Sequence, residues 1–402
     1  MPHLESAAIN LMVNSGSRIE KLEENGISHL LEHMAFKGTR TRTAREIAEE
    51  IESVGGELNA ATSVEQTSYF ARVLKSDVPL AIEILSDIIS NAAFDEEELL
   101  REQHVILQEI GAAQDQPEDL VFDHFLEAAY PDQALGRPIL GTAERVQSFR
   151  PAQLRRFLKS QYRTSSMILA AAGAVSHDAL AKDLQTRFAD LQQPQPDRPD
   201  QAKYIGGDFR KSLPLMETQI VLGFEGVSYN SEDFYTAQVL ASVLGGGMSS
   251  RLFQEIRERR GLCYSIYAFH WSFTDTGVFG IHAATGQDDV AELMPVLLNE
   301  LRLISSELDQ KEIQRIRAQM RAGLLMGLES PISRAGQIAR HFATFGRVLE
   351  MEEIIEQIDA ITIDDVASLA QRLFLSGGKP TISAIGPIGK LMPFDEICDA
   401  LR

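Results

Sequence analysis

The sequence predicts an α+β chain made of two homologous α/β units joined by a proline-rich linker. Three observations predict it: a steady internal repeat, short apolar runs alternating with long periodic segments, and one polar, proline-bearing stretch at mid-chain. Ser6 to Glu20 (SAAINLMVNSGSRIE) resembles Glu217 to Tyr229 (ETQIVLGFEGVSY), and Asp77 to Ile89 resembles Asp288 to Leu301, each pair 211 residues apart. Phe94 to Ile110 matches the stretch from Leu308, and Ser166 to Gly173 matches Pro380 to Gly386, each pair 214 apart. Between the copies, Leu191 to Ala202 carries Pro194, Pro196 and Pro199 among polar residues and reads as a stiff linker. The expected domains are therefore residues 1–190 and 204–402, with 191–203 between them.

Taken in order, the first copy opens on an apolar strand and then a turn, Glu24-Asn25-Gly26, followed by His29-Leu30-Leu31-Glu32-His33. On a helix, His29 and His33 lie four apart on one face, so both imidazoles can grip one metal ion with Glu32 beside it. The glutamate precedes the second histidine, the reverse of H-E-x-x-H, which is the inverzincin order. Two unrelated histidines on a surface helix would look the same, so a third ligand decides. Phe94 to Ala112 reads as a helix, with an acidic first turn of Asp95 to Glu98 and apolar positions at Leu99, Leu100, Val105, Ile106 and Ile110. Glu102 and Glu109 are seven apart on it and share a face; unaided, such a pair usually means a solvated acidic face.

These residues carry a family resemblance. The pentad, followed about 75 residues later by Glu109 with Glu102 before it, resembles the zinc peptidases of the pitrilysin and mitochondrial processing peptidase family, M16, and within it the two-domain bacterial-type subunit. Gly16-Ser17-Arg18, Asn25-Gly26-Ile27-Ser28, Phe36-Lys37-Gly38-Thr39, Gly55-Gly56, Asn59-Ala60, Leu135-Gly136-Arg137-Pro138 and Gly141-Thr142 agree, in order and across the chain. The resemblance implies two units, each a mostly antiparallel sheet flanked by helices. It implies one zinc per chain held by His29, His33 and Glu109, with Glu32 as general base and Glu102 as a group that modulates the site and orients a ligand. A cation so held would acidify a water and polarise the scissile carbonyl.

At offset 211 the pentad positions fall on Leu240, Val243 and Leu244, which cannot bind metal, so the second copy is expected to keep the helix and lack the site. In that copy Arg257 and Tyr264 resemble the family's pair that closes over substrate and stabilises the oxyanion, a task suited to a cation and a phenol. An arginine at a basic helix end and a tyrosine opening a strand is the plain alternative. Larger relatives hold four units, so a two-unit chain is expected to pair, as a homodimer or with a homologous subunit. Asn59, Ala60 and Ala61 resemble the family's edge strand, leading through Thr67 to Val73, that binds the backbone of peptide substrates. Gly245-Gly246-Gly247 reads either as a substrate loop or as a helix stop. The other histidines read as structural or solvated, and Trp271 as core or chamber wall.

The net charge of −20 argues against nucleic acid or an anionic membrane as partner and favours basic peptides. No apolar run approaches 18 residues, and no basic-then-apolar leader opens the chain. The expected location is the cytoplasm, with the periplasm left open because relatives carry one more strand before the position of Pro2. Only Cys263 and Cys398 occur, which excludes a disulfide framework. Two function classes follow: a zinc metalloendopeptidase, a hydrolase acting on peptides or unfolded segments, and a non-catalytic structural or regulatory homologue.

Overall fold

Eight successive residues, SAAINLMV, form strand β1 (Ser6–Val13) and are buried from the second onward. A strand apolar on both faces needs a layer on each side, and that requirement organises both halves of the protein. The computed structural model describes Met1 and residues 3–189, 199–376 and 378–402, so most of the expected linker, 191–198, lies outside the described residues. The described chain divides into two compact units.

The first unit comprises Met1–Ala112, Arg137–Asp200 and Leu325–Val348. Its elements are β1, α1 (Ile27–Ala35), α2 (Ala44–Ser53), β2 (Glu57–Thr62), β3 (Thr67–Leu74), α3 (Val78–Ser90), α4 (Glu96–Gln114, its last two residues beyond the unit) and β4 (Met167–Gly173). The strands run antiparallel in the order β2-β3-β1-β4, which leaves β2 at an edge. On one face Ile9, Leu11 and Val13 meet Leu30 and Met34 of α1, Ile84 of α3 and Ile106 of α4. On the other, Ala8 and Met12 with Ala170 and Ala172 are covered by Ala335 and Ala339 of the helix Pro331–Phe345. Nine residues are too few for α1 to be stable alone. Burial of Ile27, Leu30, Leu31 and Met34, each 2 % exposed or less, holds it, at roughly 1.5–3 kcal/mol per side chain.

The second unit comprises Ala113–Gly136, Gln201–Leu324 and Leu349–Arg402. Its helix α5 (Pro117–Ala129) and strands β5 (Asp208–Ser212), β6 (Glu217–Glu225), β7 (Ser265–Ser272), β8 (Gly277–Gly286) and β9 (Thr381–Gly386) give the sheet order β5-β9-β6-β8-β7. Among the described residues of this sheet only β5 and β9 pair in parallel. Helices Phe234–Gly245, Val290–Glu307 and Ile363–Leu375 share one core with Ile220, Leu222 and Phe224 of β6. Across the strand, Phe125 of α5 fills the notch at Gly223, where an added Cβ would lie 2.5 Å from the ring.

The units are not contiguous halves of the chain. Residues 113–136 of the first half pack in the second unit, and 325–348 of the second half pack in the first. The repeat and the linker report chain order, whereas packing follows the need of β1 and β6 for a helix on the outer face. No helix among the described residues is long and apolar enough to cross a membrane.

Candidate metal centre

The helix α1 starts at Gly26, whose φ of 95° lets the chain turn sharply out of the preceding loop. Gly141 (φ 73°) lies against it, and a Cβ on Gly141 would come within 2.8 Å of the Gly26 Cα. With the apolar face of α1 turned to the core, His29, Glu32 and His33 fall within one arc of about 100° on the other side. The two imidazole centroids are 4.6 Å apart.

Facing them is α4. Asp95 caps its first turn, accepting from the amides of Glu97 and Glu98 at 2.9 and 3.1 Å. Gln103 pins its height by donating to the carbonyls of Val146 and Phe149 at 2.7 and 3.0 Å. That rotation buries Leu99, Glu102, Gln103 and Ile106 and leaves exposed Leu100 and Val105, two of the apolar positions that mark the helix in the sequence. Two turns along, Glu109 Oε2 reaches His29 Nε2 at 3.7 Å and His33 Nε2 at 3.6 Å.

Three donors each 2.0–2.1 Å from a tetrahedral ion stand about 3.4 Å from one another. The ligand atoms of His29, His33 and Glu109 all lie within 4.8 Å of each other, so the spacing fits one small cation. The proton states fit as well. Burial, then the neighbouring His33, pushes His29 down to about 4, which leaves its ring neutral at pH 7. His29 Nδ1 is buried without a partner among the described residues. His33 donates from Nδ1 to Glu102 Oε2 at 3.0 Å, which turns the Nε2 lone pair toward Glu109. Glu102 is in turn held by the Lys37 ammonium at 2.7 Å. Two imidazoles and one carboxylate are a ligand set that suits a divalent ion of zinc's type.

Glu32, half-buried, adds its charge to the environment of the hydrogen-bonded pair Tyr69 and Tyr162, whose hydroxyls are 2.8 Å apart. Burial pushes Tyr162 up to about 12. Asn59 and Ala61 are exposed on β2 and Ala60 is buried, with Asn59 Oδ1 accepting from the Ala60 amide at 2.8 Å. A cleft of about 600 Å³ runs beside this strand, lined by Phe36, Ile47, Ile51, Leu58, Asn59 and Phe70 among others.

The comparisons with known proteins agree on one family. Residues 2–143 match the profile of insulinase (peptidase family M16), and 148–320 match that of the M16 inactive domain. The chain belongs to the M16 peptidase family. An uncharacterized zinc protease of Rickettsia bellii is 43% identical over 96% of this chain and 94% of its own. The uncharacterized zinc protease YmxG of Bacillus subtilis is 35% identical over 97% and 95%. Among solved structures, a protease from Helicobacter pylori superposes with a TM-score of 0.90 at 21% identity, over 95% of this chain and 94% of that one. A chain of complex III2 from Candida albicans gives 0.87 at 22% identity, covering 100% and 95%. These two show the fold.

In this M16 chain the second unit places Leu240, Val243 and Leu244 wholly in its core. Its Arg257 and Tyr264 lie together, the guanidinium 5.7 Å from the Tyr264 ring and 4.6 Å from that of Phe253, with Tyr264 75% exposed. Gly245 closes the helix and packs so tightly on β7 that a Cβ would lie 2.1 Å from the Ala268 amide, so the helix stop is the reading the geometry carries there. Sequence reasoning gave no role to Lys37, Gln103 or Glu20. Lys37 stood inside a quoted motif, and its one-turn distance from His33 was the available signal.

Proposed function

We propose that this M16 chain is a zinc-dependent endopeptidase that binds one zinc through His29, His33 and Glu109. The observation carrying this reading is the convergence of three donor atoms from two helices within 4.8 Å of one another, one of them on a ring oriented by Glu102. Zinc, when bound, supplies the positive charge that acidifies a water and polarises the scissile carbonyl. Glu32, on the same arc of α1 as the histidines, takes the proton of the attacking water and passes it to the leaving amine. Glu102 orients His33. The open edge of β2 at Asn59, Ala60 and Ala61 accepts an extended peptide by main-chain pairing, which fixes the backbone and leaves side-chain demands loose.

Arg257 and Tyr264 complete the oxyanion environment, supplied by a second chain in a homodimer or by a homologous M16 subunit. The test is metal analysis combined with cleavage of an unfolded peptide by wild-type protein and Glu32→Gln. Retained zinc with cleavage lowered by about 10²–10⁴-fold supports the assignment. Cleavage at the wild-type rate in the variant, or a wild-type chain that takes up no zinc, overturns it.

A further inference from the structure

The metal-binding helix has no cap of its own. Gly26 stands at its N-cap position without a side chain, leaving the first amides of a nine-residue helix to find acceptors elsewhere. They find Glu20, six residues upstream and 2% exposed. Glu20 Oε2 accepts from the Gly26 amide at 2.8 Å and from Asn25 Nδ2 at 3.2 Å, while Oε1 accepts from the Ser28 amide at 2.8 Å. Both oxygens are thus committed to the first turn, one residue short of His29. The same junction is braced behind. Arg137 donates to the Glu20 carbonyl at 2.9 Å, and Asn25 Nδ2 donates also to the Pro138 carbonyl at 3.1 Å.

A buried carboxylate is costly, and burial pushes this one up to about 7. A neutral side chain would cap a helix at less expense. At offset 211 Glu20 falls on Ser231, so the buried carboxylate accompanies the helix with the histidine pair and not its metal-free counterpart.

We propose that Glu20 is a positioning residue for the metal centre. It clamps the first turn of α1 from outside the helix and so sets where His29 and His33 present their Nε2 atoms to Glu109. This rests on the metal reading above and extends it to a group that touches neither ligand nor substrate. A glutamine there keeps the size but turns one acceptor into a donor, so it cannot accept from both the Gly26 and Ser28 sides.

The test titrates Co²⁺ into metal-free wild type, E20Q and E20D, reading the dissociation constant and the visible d–d band, with peptide kinetics alongside. E20Q is expected to melt within a few degrees of wild type, since it removes a charge that burial penalises. Its Co²⁺ affinity should fall by up to about 10-fold with an altered band, the low end of the loss on removing a group bonded directly to a metal ligand. The kinetic loss should fall in kcat, with KM nearly unchanged because β2 is untouched. E20D, which keeps the carboxylate, should recover part of the affinity.

Co²⁺ affinity within twofold of wild type and an unchanged band in folded E20Q would overturn the proposal. Should E20Q fail to fold, E20D decides: several-fold weaker Co²⁺ binding at the wild-type Tm supports it, and wild-type binding overturns it. A wild-type chain that binds no Co²⁺ sinks the metal reading itself, a result separate from either variant outcome.

Discussion

The helix α1 and its counterpart Phe234–Gly245 occupy equivalent places behind β1 and β6, yet only one is dressed for chemistry. In α1 the apolar residues cover one face and His29, Glu32 and His33 the other. In the counterpart Leu240, Val243 and Leu244 are 1% exposed or less, and Thr236, Ala237, Val239 and Ala241 are buried around them. The facing helix follows suit. Glu102 falls on Ile313 or Ile316 at offsets of 211 or 214, both buried isoleucines. The fold therefore closes with aliphatic residues at these positions. The proposed metal centre is a set of polar groups inserted where packing alone would choose leucine, at a cost the second unit does not bear.

The sharpest way to break the comparison is to give the first unit the second unit's residue. His33→Leu should abolish zinc binding and reduce peptide cleavage by about 10⁴-fold or more, while thermal stability stays equal or rises, because a half-buried polar ring is replaced by an aliphatic one. Metal analysis, an activity assay and a thermal melt check it. A fall in Tm of more than a few degrees would show that the histidine is structural. The reverse exchange, Leu244→His, places an imidazole in a site with no exposure. It should destabilise by about 2–5 kcal/mol in a denaturant titration and create no second metal site.

Much of this was legible in the sequence because both helices carry their chemistry at helical spacing. His29 and His33 four apart, and Glu102 and Glu109 seven apart, declare shared faces whatever the tertiary context. What was illegible depends on where a face turns. Leu100 and Val105 look like core residues by composition, but pinning of α4 by Gln103 aims them at solvent. Glu20 reaches α1 across a 3₁₀ turn, Leu22–Glu24, that no periodicity announces. The exchange of residues 113–136 and 325–348 between units is likewise invisible to a repeat that measures order along the chain.

The units differ also in what their imidazoles do. In the first, His29 and His33 face a carboxylate. In the second, His270 Nε2 accepts from the Val227 amide at 3.0 Å and His282 Nε2 meets Gln219 Oε1 at 3.0 Å, and burial pushes both rings down to about 4 from 6.5. A base whose folded value is depressed binds more protons when unfolded. Its contribution is complete above about pH 6.5 and is lost as the pH falls from there to about 4, on the order of 3 kcal/mol per ring. The single tryptophan, Trp271, sits on β7, so its fluorescence reports on the second unit. The denaturation midpoint read at Trp271 should drop between pH 6.5 and 4. In a His270→Gln, His282→Gln double variant that slope should flatten, and an unchanged slope would assign the acid sensitivity to other groups.

The smallest effect separates two parts of one relay. Glu102 bonds His33 through one oxygen and Lys37 through the other, so the ammonium holds the carboxylate that holds the ring. Removing the carboxylate's charge with Glu102→Gln leaves an amide that can offer His33 Nδ1 a donor instead of an acceptor, which favours the wrong tautomer. Zinc affinity should fall about 10- to 100-fold in chelator competition. Lys37 is partly exposed, and water can replace much of its bond, so Lys37→Met should cost only several-fold. Larger loss from Lys37→Met than from Glu102→Gln would invert the order of the relay and make the lysine, rather than the carboxylate, the group that sets the ring. In the second unit the position 211 residues after Lys37 is Met248, an exposed side chain beyond the end of its helix, so the relay is confined to the unit whose helix has a ring to orient.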